Sequence, residues 1–366
     1  MRLASTSARS DTPVIRPGDS PGRLRGTDKP PLPLLITGIA GVAGYNALHY
    51  FRDRYAGQVI GIRQEENWRL SGPGIVACNA ENPEKLARLF EQYEFGSVLN
   101  CVGNCALRAC ELNPALAWRI NVEGVRNLLL QTVRHRTRLV HLSIDLVFSG
   151  IGDGGTGDGG RGEGGYVEED TPDPVTVYGK TMVEAERLVQ QTDTAACLLR
   201  ISLPMGVSFS GRAGAIDWIA SRFRKSRPAT LYFDEVRTPT YTDCLNQLFE
   251  AMLAGNLHGV FHAGGPRRLS LYEIAQIVNR VGGYDPDCLM GIPRLEAGPI
   301  PPRAGDVAMN SGKLSRALGY EPFDPWPWDE TWVPTHRDWH RERPSGESRS
   351  PEFLHKVLCL NPARRR

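Results

Sequence analysis

Gly38, Gly41 and Gly44 recur every third residue in TGIAGVAG, between a short apolar run and a helix-like one. That spacing suits phosphate chemistry. Gly38 permits a tight turn, Gly41 lets the backbone approach a pyrophosphate, and Gly44 lets a helix pack close to the preceding strand. The helix N-terminus then offers free N–H groups and a partial positive charge. In this strand–turn–helix setting the array predicts a dinucleotide site. Arg63, ending the next strand, could meet a 2′-phosphate with charge-assisted hydrogen bonds, which favours NADP. Glu65 keeps NAD open, because an acid there would bind the ribose hydroxyls. Asn79 is placed to touch the adenine edge. Asn100 to Gly103, including Cys101 and Val102, should pass beneath the cofactor.

Tyr178 marks a second candidate centre. In VYGKTM it follows a turn-rich stretch and opens the helix-like run MVEAERLV. A phenol can give a proton to a carbonyl oxygen. One helical turn later, residue 182 is Met. Lys180 is about 200° away around the helix and faces elsewhere. Without a cation the phenol should stay near its reference pKa of about 10.

Alternating elements must position these residues. Apolar strand-like runs occur at PLLITG, 58–62, 75–79, 97–103, 138–144 and 196–202, with helix signals between them. Asn82 and Pro83 read as the cap and first residue of one such helix. The alternation predicts an α/β fold, a doubly wound parallel sheet covered on both faces. The domain reading is a disordered leader at 1–31, a dinucleotide-binding domain at 32–205, a substrate-binding cap at 206–325 partly interleaved with the sheet, and a C-terminal extension at 326–366. A glycine-rich insertion at 150–165 reads as a flexible loop. The tail's Trp residues are candidates to dock on the body, and its basic charge reads as solvated.

Composition narrows the classes. Net charge is +2, with 43 basic and 41 acidic residues, so no global field suggests nucleic acid. No run of about 20 apolar residues exists to span a membrane. The N-terminus lacks the apolar core of a secretory signal, and its acids argue against a transit peptide. The eight cysteines read as reduced, mostly buried thiols. Cys101, Cys105 and Cys110 lack zinc-site spacing. A cytoplasmic setting follows.

Taken together, the glycine array, LNCVG, NPALAWRINVEGVRNL, HLSIDLVFSG and YVEEDTPDPVTVYGK resemble the extended short-chain dehydrogenase/reductases. Within them the chain is most similar to the dTDP-4-dehydrorhamnose reductase branch, which includes the regulatory β subunit of methionine adenosyltransferase. FDEVRTPTYTDCL and PPRAGDVAMNSGKLSRALGYEP extend the resemblance over about residues 33–325. It implies NADP- or NAD-dependent reduction of a keto group on a nucleotide-sugar or similar small substrate. It also implies Tyr178 as proton donor, Ser143 beside the cofactor, and Asp145, Arg237 and Arg303 toward the substrate. A homodimer or a regulatory protein partner fits as well. The pattern is incomplete, however. Ile144 stands where the branch has a hydroxyl residue, Leu146 where it has a Tyr, and Met182 where it has a Lys. The resemblance therefore implies either a reductase with a non-standard site or a catalytically impaired nucleotide-binding protein.

Overall fold

The computed structural model describes residues 29–103, 105–151 and 164–365. Most of the expected leader and glycine-rich insertion lies outside them. Pro31 is already anchored, its carbonyl accepting from the Ser97 hydroxyl.

The first half is a run of strand–helix units. β1 (Leu34–Ile36), α1 (Val42–Arg54), β2 (Val59–Arg63), β3 (Ile75–Ala77), α2 (Pro83–Tyr93) and β4 (Ser97–Asn100) come first. Asn82 caps α2 as expected, accepting from the Lys85 N–H at 2.9 Å. α3 (Leu107–Leu112), α4 (Pro114–Trp118), a π-turn at Arg119–Glu123 and α5 (Gly124–His135) lead to β5 (Arg138–Ile144). α6 (Val177–Thr192) begins at Thr176, whose hydroxyl accepts from the Gly179 N–H, and β6 (Cys197–Ile201) follows. The strands are apolar and buried because helices cover both faces.

The second half contributes β7 (Pro204–Met205), α7 (Ala215–Phe223), β8 (Ala229–Tyr232), β9 (Val236–Arg237), β10 (Thr240–Tyr241), α8 (Thr242–Ala254), β11 (Gly259–Ala263), β12 (Leu269–Ser270), α9 (Leu271–Val281), β13 (Leu289–Ile292), α10 (Gly312–Leu318) and α11 (Pro351–Leu354). The main sheet has the order β11-β6-β5-β4-β1-β2-β3, with every pair parallel. The doubly wound reading stands, with one strand more than the sequence suggested. β11, GVFHA, joins the main sheet beside β6 although it lies far along the chain. Small two-stranded pairs, β7–β10, β9–β12 and β8–β13, form a smaller cap region outside the main sheet.

The expected docking of the tail's Trp residues is seen, and many of the tail's charges, such as Arg341 and Asp338, are exposed as expected. Trp326 is wholly buried and its Nε1–H donates to the Leu358 carbonyl at 2.9 Å. The Tyr241 hydroxyl donates to the Val357 carbonyl and the Tyr272 hydroxyl to the Arg337 carbonyl. Arg280 pairs with Glu347, and Arg364 with Asp324. Several of the tail's charges are thus matched by partners, which composition alone does not reveal. No helix among the described residues is long and apolar enough to cross a membrane.

Candidate functional site

Strand order reverses between β1 and β4, the position in such sheets where a crevice opens at the strands' C-terminal ends. The glycine array sits there. Gly38 has φ +64°, and a Cβ on it would overlap the Cys101 carbonyl. A Cβ on Gly44 would overlap the backbone of Thr37 and Gly38. These two glycines are demanded by the protein itself. Gly41 is not: a Cβ there meets only the Gly38 carbonyl oxygen, at 3.6 Å. Gly41 is the N-cap of α1, with no side chain closing the helix end. Its bareness keeps the approach to the first-turn N–H groups clear, which fits a pyrophosphate.

The neighbouring strand ends are fixed by a buried polar chain. Thr37 donates to the Asn100 side-chain oxygen at 2.6 Å, and the Asn100 amide donates to His141 Nδ1 at 2.8 Å. That bond sets the tautomer with hydrogen on Nε2, and burial pushes the imidazole pKa down to about 4. The Cys101 and Val102 N–H groups point into this chain, toward Thr37 and Asn100. These two predicted cofactor residues therefore offer a ligand their remaining surface rather than their N–H groups. Thr37 and His141 escaped the sequence reading.

The residues predicted for the adenosine end converge. The Asn79 side chain accepts from the Glu65 N–H at 2.8 Å. Arg63 curls over the same loop, donating to the Gln64 and Glu65 carbonyls at 3.0 Å each. Glu65 is paired with Lys85.

The Tyr178 centre is apolar. Tyr178, Met182, Leu146, Val147 and Phe148 form one buried cluster, with Ile144 packed against it. Gly179 permits the approach of the Asp145–Val147 turn, since a Cβ there would overlap the Leu146 carbonyl. A Cβ on Gly103 would lie 3.7 Å from the Tyr178 hydroxyl and 4.0 Å from Met182 Sδ. The β4 end thus reaches the phenol, joining the two predicted centres. Lys180 is exposed, as expected. Ser143 points the other way from Ile144, and its buried hydroxyl has no partner. The phenol departs from expectation. Burial raises its pKa well above 10, and the nearby Cys105 and Asp145 add to the rise. Losing the cation is compounded by desolvation.

The three predicted substrate residues form one charged chain, but not a free one. Arg237 donates through Nε, at 2.6 Å, and Nη2 to the two carboxylate oxygens of Asp145. Ser202 donates to the same carboxylate. Arg303 is gripped by Glu235 through Nε at 2.7 Å and Nη2 at 2.6 Å, and stacks over the Tyr232 ring. Glu235 Oε1 is also 3.9 Å from Arg237 Nη1. Asp145 and Arg237, both expected toward the substrate, are hydrogen-bonded to each other. Glu235 was missed, because only the cap's folding shows which arginines it lies between.

Asn121 was missed too. It lies in the π-turn, 1% exposed, and its amide donates to Thr181 Oγ1 at 2.9 Å, one turn from Tyr178. A π-turn inside a helical run often marks a functional site, but periodicity does not reveal one.

The family described as RmlD substrate binding domain matches residues 33–331. A probable low-salt glycan biosynthesis reductase, Agl14, of Haloferax volcanii is 24% identical over 252 residues, 68% of this chain and 80% of its own. The dTDP-4-dehydrorhamnose reductase of Aggregatibacter actinomycetemcomitans is 23% identical over 304 residues, 80% and 95% of the two chains. The methionine adenosyltransferase 2 subunit beta of Rattus norvegicus is 24% identical over 255 residues, 66% and 70%. Among solved structures, Bacillus anthracis dTDP-4-dehydrorhamnose reductase in complex with NADP superposes with TM-score 0.66 at 18% identity, covering 80% of this chain and 95% of that one. Thermus thermophilus UDP-glucose 4-epimerase with NAD gives 0.65 at 22%, covering 79% and 93%.

Proposed function

Since this chain belongs to the RmlD substrate binding domain family, we propose that it is an NAD(P)-dependent oxidoreductase. It reduces a keto group on a nucleotide-sugar or similar small substrate, through a non-standard site. The observation that carries this reading is the Tyr178 phenol, brought to the end of β4 beside Gly103. The nicotinamide supplies hydride when bound. The first-turn N–H groups of α1 would hold the pyrophosphate, with Gly41 leaving room. Arg63, now on the Gln64 and Glu65 carbonyls, would meet the 2′-phosphate of NADP, which favours NADP over NAD. Tyr178, kept protonated by burial, donates its proton to the carbonyl oxygen. Ile144 and Met182 exclude water but supply neither the hydrogen bond nor the cation. Such contributions are commonly worth about 10²–10⁴-fold for acid–base help and about 10²–10³-fold for one oxyanion donor, so turnover is slow. Described cysteines that are all free fit a cytoplasmic setting.

A second reading rests on the same cluster. With Ile144, Leu146 and Met182 around a desolvated Tyr178, the chain binds a dinucleotide without turnover and serves a partner. The resemblance to the methionine adenosyltransferase subunit belongs to this reading. Titration with NADPH, followed by addition of 4-ketosugars, separates the two. Cofactor binding with oxidation of NADPH supports the reductase. Micromolar binding with no oxidation for any ketone supports the second reading.

A further inference from the structure

Two cations meet at the loop that follows β2, and the sequence pointed to only one of them. Lys85 lies in the first turn of α2, and its ammonium pairs with the Glu65 carboxylate. Arg63, the last residue of β2, donates to the carbonyl of the same Glu65 at 3.0 Å. The backbone ties these elements together. The Cys78 N–H, just past β3, donates to the Arg63 carbonyl at 3.0 Å, and the Glu65 N–H donates to the Asn79 side chain at 2.8 Å. A guanidinium, an ammonium and a carboxylate are thus gathered around one loop residue. Neither cation is firmly committed. The Lys85 and Glu65 side chains are 47% and 44% exposed, and an exposed pair of this kind contributes little to stability. Arg63 bonds the Gln64 and Glu65 carbonyls, while its buried Nε has no partner. Both can turn to another anion at small cost.

We infer that Lys85 is a specificity-determining residue for the cofactor, and that Glu65 sets which cofactor gains from it. The inference rests on the dinucleotide reading of the proposed function and adds a residue to that site. A phosphate monoester carries about two negative charges near neutral pH, so one guanidinium leaves it incompletely neutralised. With NADP, Lys85 leaves Glu65 and joins Arg63 on the 2′-phosphate. With NAD, the ribose hydroxyls donate to the Glu65 carboxylate, which Lys85 holds in place. Glu65 thus stands on Lys85 where the phosphate of NADP would stand. The same carboxylate repels a phosphate and accepts from a hydroxyl, so removing its charge moves the two cofactors in opposite directions.

The test reads binding alone, so turnover does not enter. NADPH and NADH are titrated by nicotinamide fluorescence into the natural chain, Lys85→Gln and Glu65→Gln, with thermal melts reporting folding. Lys85→Gln should weaken NADPH at least about fivefold and leave NADH within about twofold. Lys85→Arg keeps the charge and should keep the preference. Glu65→Gln should tighten NADPH and weaken NADH, raising the ratio of their affinities at least about fivefold. Equal effects on both cofactors, or none, in a folded Lys85→Gln overturn the inference. So does an unchanged ratio in a folded Glu65→Gln. Should one variant fail to fold, the other decides. A natural chain that binds neither cofactor sinks the dinucleotide reading and this inference with it, an outcome distinct from binding with unshifted ratios.

Discussion

The guanidinium of Arg237 clasps the carboxylate of Asp145 through two parallel hydrogen bonds, in a place where neither side chain exceeds 4% exposure. The pair lies against the turn that abuts Tyr178, with Gly179 permitting the close approach. Two residues that the sequence offers as substrate contacts thus bond to each other. The clasp also joins the large sheet to the cap, since Asp145 follows β5 and Arg237 ends β9.

Breaking that clasp from one side should unsettle the whole fold. Arg237→Met leaves Asp145 buried and unpaired, and a loss of about 3–5 kcal/mol is expected. Adding Asp145→Asn removes the stranded charge and should restore part of the loss. Urea unfolding of the two variants against the natural chain measures both. Equal stability of the single and double variants would refute the coupling.

The glycines separate fold from binding. Gly38→Ala forces a Cβ into the Cys101 carbonyl at a positive φ, so unfolding should shift by more than about 1 kcal/mol. Gly41→Ala meets no clash and should leave the melting temperature unchanged while weakening NADPH at least about tenfold. Fluorescence titration and thermal melts together check the contrast.

Arg63 should decide between the two cofactors. Removing it in Arg63→Ala costs only its hydrogen bonds to the Gln64 and Glu65 carbonyls in the free protein. The ratio of NADP to NAD affinity should fall at least about tenfold, consistent with loss of a charge-assisted contact. An unchanged ratio would remove Arg63 from the cofactor site.

The pH dependence follows from the raised pKa of Tyr178. Below the shifted value the phenol is protonated and can donate, so ketone reduction should not decline as pH passes 10. Alcohol oxidation needs the phenolate, which burial suppresses, and should be undetectable at neutral pH. Initial rates in both directions between pH 6 and about 10.5 test this. A reduction rate falling by half near pH 7 would contradict it.

Much of this was legible in the letters. The glycine array, the alternation of strands with helices, and Tyr178 with its altered neighbours all depend on local spacing. Lys180 and Ile144 were placed correctly because helix and strand periods fix which way a side chain points. The tail's ion pairs, β11 and the Glu235 bridge were not legible, for they depend on contacts between segments far apart in the chain. The Tyr178 pKa was misjudged for the same reason: the missing cation could be seen in the sequence, but the degree of burial could not. Asn121 lay unnoticed inside an apparently regular helix, because a π-turn leaves the pattern of apolar residues nearly intact.

The most direct test is single-turnover NADPH oxidation with a reducible ketosugar at saturating cofactor. It compares the natural chain with Ile144→Thr/Met182→Lys, and with Tyr178→Phe in each background. The restored hydroxyl and cation should raise the rate at least about tenfold, and Tyr178→Phe should abolish it in both backgrounds. A double variant no faster than the natural chain, or a Tyr178→Phe variant that still turns over at the natural rate, would contradict a reductase site built around Tyr178.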